Sequence, residues 1–217
     1  MSDKVEDDIP DKNLFMMCQE LNVNALSKLG DAYHIRNCRE DELEIWKAFP
    51  FDDPEEAKAY HGYMTNFFVQ VYADKGRLFF ETCVFVCDKN DKPIATAFIW
   101  KAYDEFNTIH WLKVLKEYEG KGIGRALLST LMQELDVDDF PVYLHTQPAS
   151  YRAIKLYSDF GFKLLSNPII GNRKNDLAEC LPILEKQMNE EDFAKLQIAE
   201  APENFIKRLK SEKVHQF

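Results

Sequence analysis

Several features that would define a protein class are missing from this sequence. No apolar run approaches the ~18 residues of a membrane span, so no transmembrane helix is expected. Met1–Pro10 is polar and acidic, without a basic segment or an apolar core, so no signal peptide is expected there. Basic charge is short: 27 Lys and Arg stand against 37 Asp and Glu, a net charge of −10. Nucleic acid and anionic membrane surfaces both need cationic faces, so neither is expected as a partner. The five cysteines form no CxxC pair and no His/Cys cluster of zinc-ligand spacing, so no metal is expected. Cys18, Cys38, Cys83, Cys87 and Cys180 are expected as free core thiols of a cytoplasmic protein. Internal repeats and low-complexity segments are absent too. What remains is globular: 46% hydrophobic, 29% charged and 13% aromatic residues in 217, enough for one sizeable core with add-ons.

Periodicity supplies the elements. Leu14, Cys18, Leu21, Ala25 and Leu29 recur at three and four, which predicts a helix over 11–29 ended by Gly30. A strand at Tyr33–Arg36 and a helix at Glu40–Phe49 follow. Asp53-Pro54-Glu55-Glu56 is a helix start, and Ala57, Tyr60, Met64, Phe67 and Val71 give that helix one apolar face. The period then changes. Phe79–Cys87 and Ile94–Trp100, joined by a polar turn, predict a hairpin, and Thr108–Val114 a third strand. After a Gly-rich turn come a helix through Leu127–Leu135, a strand at Val142–His145, a helix at Pro148–Phe160 stopped by Gly161, and strands at Phe162–Leu165 and Cys180–Leu184. The tail after Glu185 reads as helical, with Asn189 and Asp192 as a cap. The order predicts a mixed α/β (α+β) domain.

The most informative stretch is Val114-Leu115-Lys116-Glu117-Tyr118-Glu119-Gly120-Lys121-Gly122-Ile123-Gly124-Arg125. Glycines 120, 122 and 124 leave backbone N–H groups uncovered at the mouth of a helix, where unpaired donors and the helix dipole favour an anion. Lys121 and Arg125 add cationic donors suited to phosphate. The Walker spacing GxxxxGK[ST] is absent, and GxGxG after hairpin strands differs from the dinucleotide fingerprint GxGxxG.

Glu119-Gly120-Lys121-Gly122-Ile123-Gly124 resembles motif A of the GNAT superfamily, the acetyl-CoA-dependent N-acetyltransferases, whose pattern is [QR]xxGx[GA]. Ala153-Ile154-Lys155-Leu156-Tyr157 with Gly161-Phe162 resembles motif B. The resemblance implies a single domain over 32–184, with a mixed, mostly antiparallel central sheet flanked by helices, an N-terminal helical extension over 1–31 and a C-terminal helical tail over 185–217. It also implies acetyl-CoA as cosubstrate, its pyrophosphate on the backbone of Gly120, Lys121, Gly122, Ile123, Gly124 and Arg125, and its pantetheine arm paired with Leu112 and Val114. Two positions depart from the pattern. Glu119 replaces Gln or Arg and is expected to turn to solvent, and Ser150 replaces the motif B Asn, to cap the helix or bond the cofactor.

Amide formation needs an amine lone pair, a base, oxyanion donors and an acid for the leaving thiolate. On the resemblance, Tyr157 is the acid, and the N–H of Val114 or Leu112 is the oxyanion donor. The base slot falls near Thr108, so His110, on the same side of the strand, is the candidate, with Asp104 and Glu105 or water as alternatives. His145 is read as structural or cofactor-adjacent. The implied acceptor is a primary amine of a small molecule or peptide, attacking directly in a ternary complex. An inactive acyl-CoA-binding regulatory module is the alternative. Exposed terminal helices could pair two subunits.

Overall fold

The computed structural model describes residues 9–217; Met1–Asp8, and the signal-peptide reading that rests on them, lie outside the described residues. In chain order the elements are β1 (Leu14–Cys18), β2 (His34–Asn37), α1 (Leu43–Ala48), α2 (Pro54–Val71), α3 (Leu78–Thr82), β3 (Val84–Cys87), β4 (Pro93–Ala102), β5 (Phe106–Val114) and α4 (Ile123–Gln133). There follow β6 (Val142–Thr146), α5 (Tyr151–Asp159), β7 (Phe162–Leu165), β8 (Ile169–Ile170), β9 (Arg173–Lys174), α6 (Leu177–Gln187), α7 (Glu190–Ala194), β10 (Ile198–Ala199) and α8 (Glu203–Leu209). The class is mixed α/β with mostly antiparallel strands, as expected. The elements fall into two compact units, one of residues up to Val23 with Pro141–Lys213, the other of Asn24–Phe140 with Val214–Phe217.

In the first unit the strands run in the order β10-β7-β1-β6. β1 pairs antiparallel with both β6 and β7, through Leu14↔Thr146 and Met16↔Leu164 among others, and β10 joins β7 in parallel. The helix expected over 11–29, and with it the helical extension over 1–31, is corrected here. Leu14, Phe15, Met16, Met17 and Cys18 are five apolar residues in a row and all are buried. A strand paired on both edges buries both its faces and needs no polar alternation, whereas the helical spacing used only one residue in three or four of the same run. Cys180–Leu184, expected as a strand, lies in α6 because Leu177, Cys180 and Leu184 form a helical stripe, with Cys180 and Leu184 buried. The stretch expected as a helical tail holds α7 and α8 with the two-residue strand β10 between them, and the Asn189 side chain accepts from the Asp192 N–H at 2.8 Å. Phe205 of α8 stacks on Tyr143 of β6, with 3.8 Å between ring centres. Gly161 ends the motif B helix at φ 98°, where an added Cβ would lie 2.7 Å from the Glu20 carbonyl, so only glycine fits.

In the second unit the order is β5-β4-β3-β2, antiparallel throughout. β4 alternates. Ala95, Ala97 and Ile99 face α4, packing with Val86, Ile123, Leu127 and Leu131. Phe98 and Trp100 turn to the other face, where Trp46 of α1, Tyr72 at the end of α2 and Phe79 of α3 form an aromatic core. This alternation positions the site, because it seats α4 on one face of β4, with the turn at 115–122 joining β5 to that helix. Phe79–Cys87 is not one strand: its first half is α3, and Cys83 caps that helix. Phe79 is drawn into the aromatic core, and that burial overrides the β-propensity of the run. All five cysteines are free and buried, as expected. Among the described residues, no helix is long and apolar enough to cross a membrane.

Candidate active site

The Gly-rich turn forms as its sequence requires. Gly120 has φ 73° and Gly122 φ 77°, both left-handed, and Gly122 is the cap residue before α4. A side chain at either position would meet nothing within 4 Å. Backbone conformation, together with the bare surface it exposes, is therefore what asks for glycine there. The first bond inside the helix runs from Ala126 N–H to Gly122 O, so the N–H groups of Ile123 and Gly124 point out of the helix end. α4 is anchored by its apolar side: Ile123, Ala126, Leu127, Leu128, Leu131 and Met132 are buried. Lys121 donates to the Glu117 carbonyl at 2.8 Å and lies over the Tyr118 ring, which keeps its charge beside the turn. Arg125 donates to the Ala25 carbonyl at 3.1 Å. Glu119 is exposed. The result is a surface of bare amides, a helix dipole and two cations, which suits a phosphate-bearing ligand.

β5 carries a second feature that the sequence did not announce. Its register against β4 shifts between Thr96↔Lys113 and Phe98↔His110, so Trp111 and Leu112 face Ala97 alone. This is a β-bulge, and Trp111 takes it up at φ 53°, an outlier for a bulky residue costing about 1–2 kcal/mol. A buried chain of hydrogen bonds holds it. Thr108 Oγ1 donates to the Trp100 carbonyl at 2.8 Å. At its 2.8 Å contact with His110 Nε2 the same hydroxyl must then accept, which places the ring proton on Nε2. His110 Nδ1 in turn accepts from Tyr72 O–H at 2.6 Å, and the Tyr72 oxygen accepts from the Trp111 indole N–H at 3.0 Å. Every proton in the chain is assigned by the last carbonyl. Leu112 and Val114, the expected backbone partners of a pantetheine arm, are half-buried at this end of β5.

His110 is 3% exposed, and burial pushes its pKa down to about 3, so the ring is neutral. Both of its nitrogens are engaged. The ring therefore does not suit the base role expected of it, because no lone pair is open to an amine proton; its place is in the chain that holds Trp111. Asp104, an alternative base, lies in the turn at the opposite end of β5 from Leu112. It sits at φ 59° in the turn before β5, bound to Lys75, roughly 25 Å along the strand from Leu112 at 3.3 Å per residue. Tyr157 is 6% exposed and rests against Phe162, with 5.7 Å between ring centres. Burial raises its pKa, which keeps the hydroxyl protonated, and that hydroxyl has no hydrogen-bond partner among the described residues. Ser150 is exposed and stands at the cap position of α5, yet its side chain makes no capping bond. His145 contacts Asn13 Oδ1 through Nε2 at 2.9 Å and packs on Phe15, a structural setting.

Sequence reasoning missed Tyr72 and the bulge. Tyr72 lies one residue beyond an apolar helical stripe and reads as core, and nothing in the residue type of Trp111 announces a positive φ. One metal-type grouping exists among the described residues, His34, Cys87 and Asp91, with ligand atoms within 4.8 Å of one another. Asp91 is already held by Arg36 and Arg39 at 2.7 Å each, so two guanidinium groups occupy the carboxylate a cation would need.

Residues 40–162 match the family model described as "Acetyltransferase (GNAT) family". No curated protein sequence matches the chain. Among solved structures, a GNAT-family acetyltransferase from Colwellia psychrerythraea is 15% identical, with a TM-score of 0.50 over 71% of this chain and 53% of its own. A tandem GNAT protein from the clavulanic acid biosynthesis pathway is 9% identical, with a TM-score of 0.50 over 72% of this chain and 50% of its own. The chain thus spans about half the length of these structures, and at such identities they speak to the fold alone. With the match covering more than half of its length, from α1 through the Gly turn to the first residue of β7, the chain belongs to the GNAT acetyltransferase family.

Proposed function

We propose that the protein moves the acetyl group of acetyl-CoA to a primary amine in a ternary complex. The observation that carries this reading is the start of α4, where left-handed Gly120 and Gly122 open a bare run of amides in the turn that follows β5, the strand broken at Trp111. The pyrophosphate would be held by the backbone of 120–125, with Lys121 and Arg125 adding charge. The amides around the bulge at Leu112, or at Val114, would receive the pantetheine arm and the thioester oxygen as it becomes an oxyanion.

The amine lone pair attacks the thioester carbon, and the C–S bond then breaks. The motif B resemblance makes the Tyr157 hydroxyl, which burial keeps protonated, the proton donor for the leaving thiolate, and it would regain a proton from solvent. The proton shed by the amine leaves through water, since His110 has no open lone pair. An amine presented with its lone pair free needs no stronger base, and a net charge of −10 suits a cationic acceptor before it loses that proton. A second reading, acyl-CoA binding without transfer, is favoured by one observation: residues 106–114 of β5 contain no carboxylate.

The test is a thiol-release assay with acetyl-CoA across amino acids, polyamines, aminoglycosides, arylalkylamines and peptides, with product mass measured in parallel. Release matched by an acetylated amine is expected. Acetyl-CoA binding with no acetylated product from any amine would favour the second reading.

A further inference from the structure

The apolar face of α2 is only partly covered. Met64 and Val71 are buried and Phe67 is half-buried, but Tyr60 and Tyr63, on the same face one turn nearer the start of the helix, are 49% and 57% exposed. These rings are not scattered. Tyr63 packs on Phe67 at 6.3 Å between centres, and Phe67 meets the Trp111 indole edge-on at 5.3 Å. Tyr60 is stacked on Phe51 at 5.2 Å. The wall ends at the bulged residue, next to Leu112.

We infer that this wall seats the acceptor, and that the acceptor is a primary amine carried on an arylalkyl group. The inference deepens the acetyltransferase reading and rests on it. Four observations favour this occupant. Ring faces offer stacking to an aromatic group and attraction to an ammonium, but almost no hydrogen bonds to a polyol or sugar amine. Acidic charge lies at the same end: Asp52, Asp53, Glu55 and Glu56 open α2, and Asp52 reaches β5 to pair with Lys113 at 2.8 Å, two residues past Trp111. The wall leads to the amides assigned to the thioester, so a ring seated there directs a short amine tail toward them. Its extent points the same way: the rings of Phe51, Tyr60, Tyr63, Phe67 and Trp111 are far fewer than the roughly 20–30 residues a side of a standard protein interface, which suits a small ligand.

The test compares kcat/KM for phenethylamine and tryptamine with that for ethanolamine and putrescine in the full chain. An aryl preference of about tenfold or more is expected, and Tyr63→Ala should reduce that ratio by about tenfold. Val137→Ser, at a site 89% exposed in the turn between α4 and β6, should leave the ratio unchanged. Turnover of polar amines without aryl preference, or a ratio unmoved by Tyr63→Ala, overturns the inference while leaving acetyl transfer standing. If no amine is acetylated, the activity reading falls, and phenethylamine titration monitored by tryptophan fluorescence still decides the wall. Saturable quenching lost in Tyr63→Ala supports it, and no quenching overturns it. A concentration-dependent dimer abolished by Tyr63→Ala would assign the wall to a second copy and also overturn the inference.

Discussion

Replacing His110 with glutamine should remove a defined part of the protein's acid sensitivity. In the native state the imidazole is enclosed by Tyr72, Thr108 and Phe98, and burial lowers its pKa from 6.5 to about 3. The unfolded chain binds a proton at about 6.5, so the neutral ring favours the native state. Its contribution is complete above 6.5 and is lost as pH falls from 6.5 towards 3, because over that range only the unfolded state is protonated. At 1.36 kcal/mol per pH unit, the loss between about pH 7.5 and pH 5 comes to about 2 kcal/mol. That is a substantial share of the 5–15 kcal/mol typical of a native protein, as an order of magnitude. Carboxylates paired with cations, such as Asp91 and Glu42, also lose stability in acid, in both proteins alike. The informative quantity is therefore the difference. Urea unfolding at both pH values should show wild type losing about 2 kcal/mol more than His110→Gln. Equal losses, or an NMR titration of the His110 ring with a midpoint near 6.5, would refute the buried neutral bridge.

Three further outcomes are expected. Tyr72→Phe removes the hydroxyl shared by Trp111 and His110. It should cost about 2–4 kcal/mol of stability by urea unfolding, because two partners lose their bond, and should lower kcat by releasing the bulge. Gly122→Ala meets no atom but forces a side chain to φ 77°; it should cost only about 1 kcal/mol in unfolding, yet weaken acetyl-CoA binding at least about tenfold by calorimetry, since the new Cβ covers the amides. Tyr157→Phe should lower turnover far more than CoA affinity, and a kcat close to wild type would remove Tyr157 from the chemistry.

The elements that were legible in the sequence are those whose chemistry is local. The turn at 120–124 could be read because left-handed backbone demands glycine and an anion site demands bare amides, so the requirement is written in residue types. Asp53-Pro54 fixed the start of α2 in the same way. β1 was illegible because its five apolar residues are set by strands more than a hundred residues away in sequence, and a short apolar run carries no period of its own. Phe79 went to a helix for a similar reason: an aromatic core assembled from α1, α2 and β4 outweighs the β-propensity of its neighbours. His110 was placed on the correct strand, but its role depends on Tyr72, 38 positions away, and no spacing within β5 could reveal that partner.

The most direct measurement is a calorimetric titration of acetyl-CoA into the full chain, alongside Gly122→Ala. Saturable one-site binding to the wild type, weakened about tenfold or more in the variant, is the predicted result. No heat of binding up to high micromolar acetyl-CoA, or equal binding by the two proteins, would contradict the assignment of the α4 N-terminus as the acetyl-CoA site.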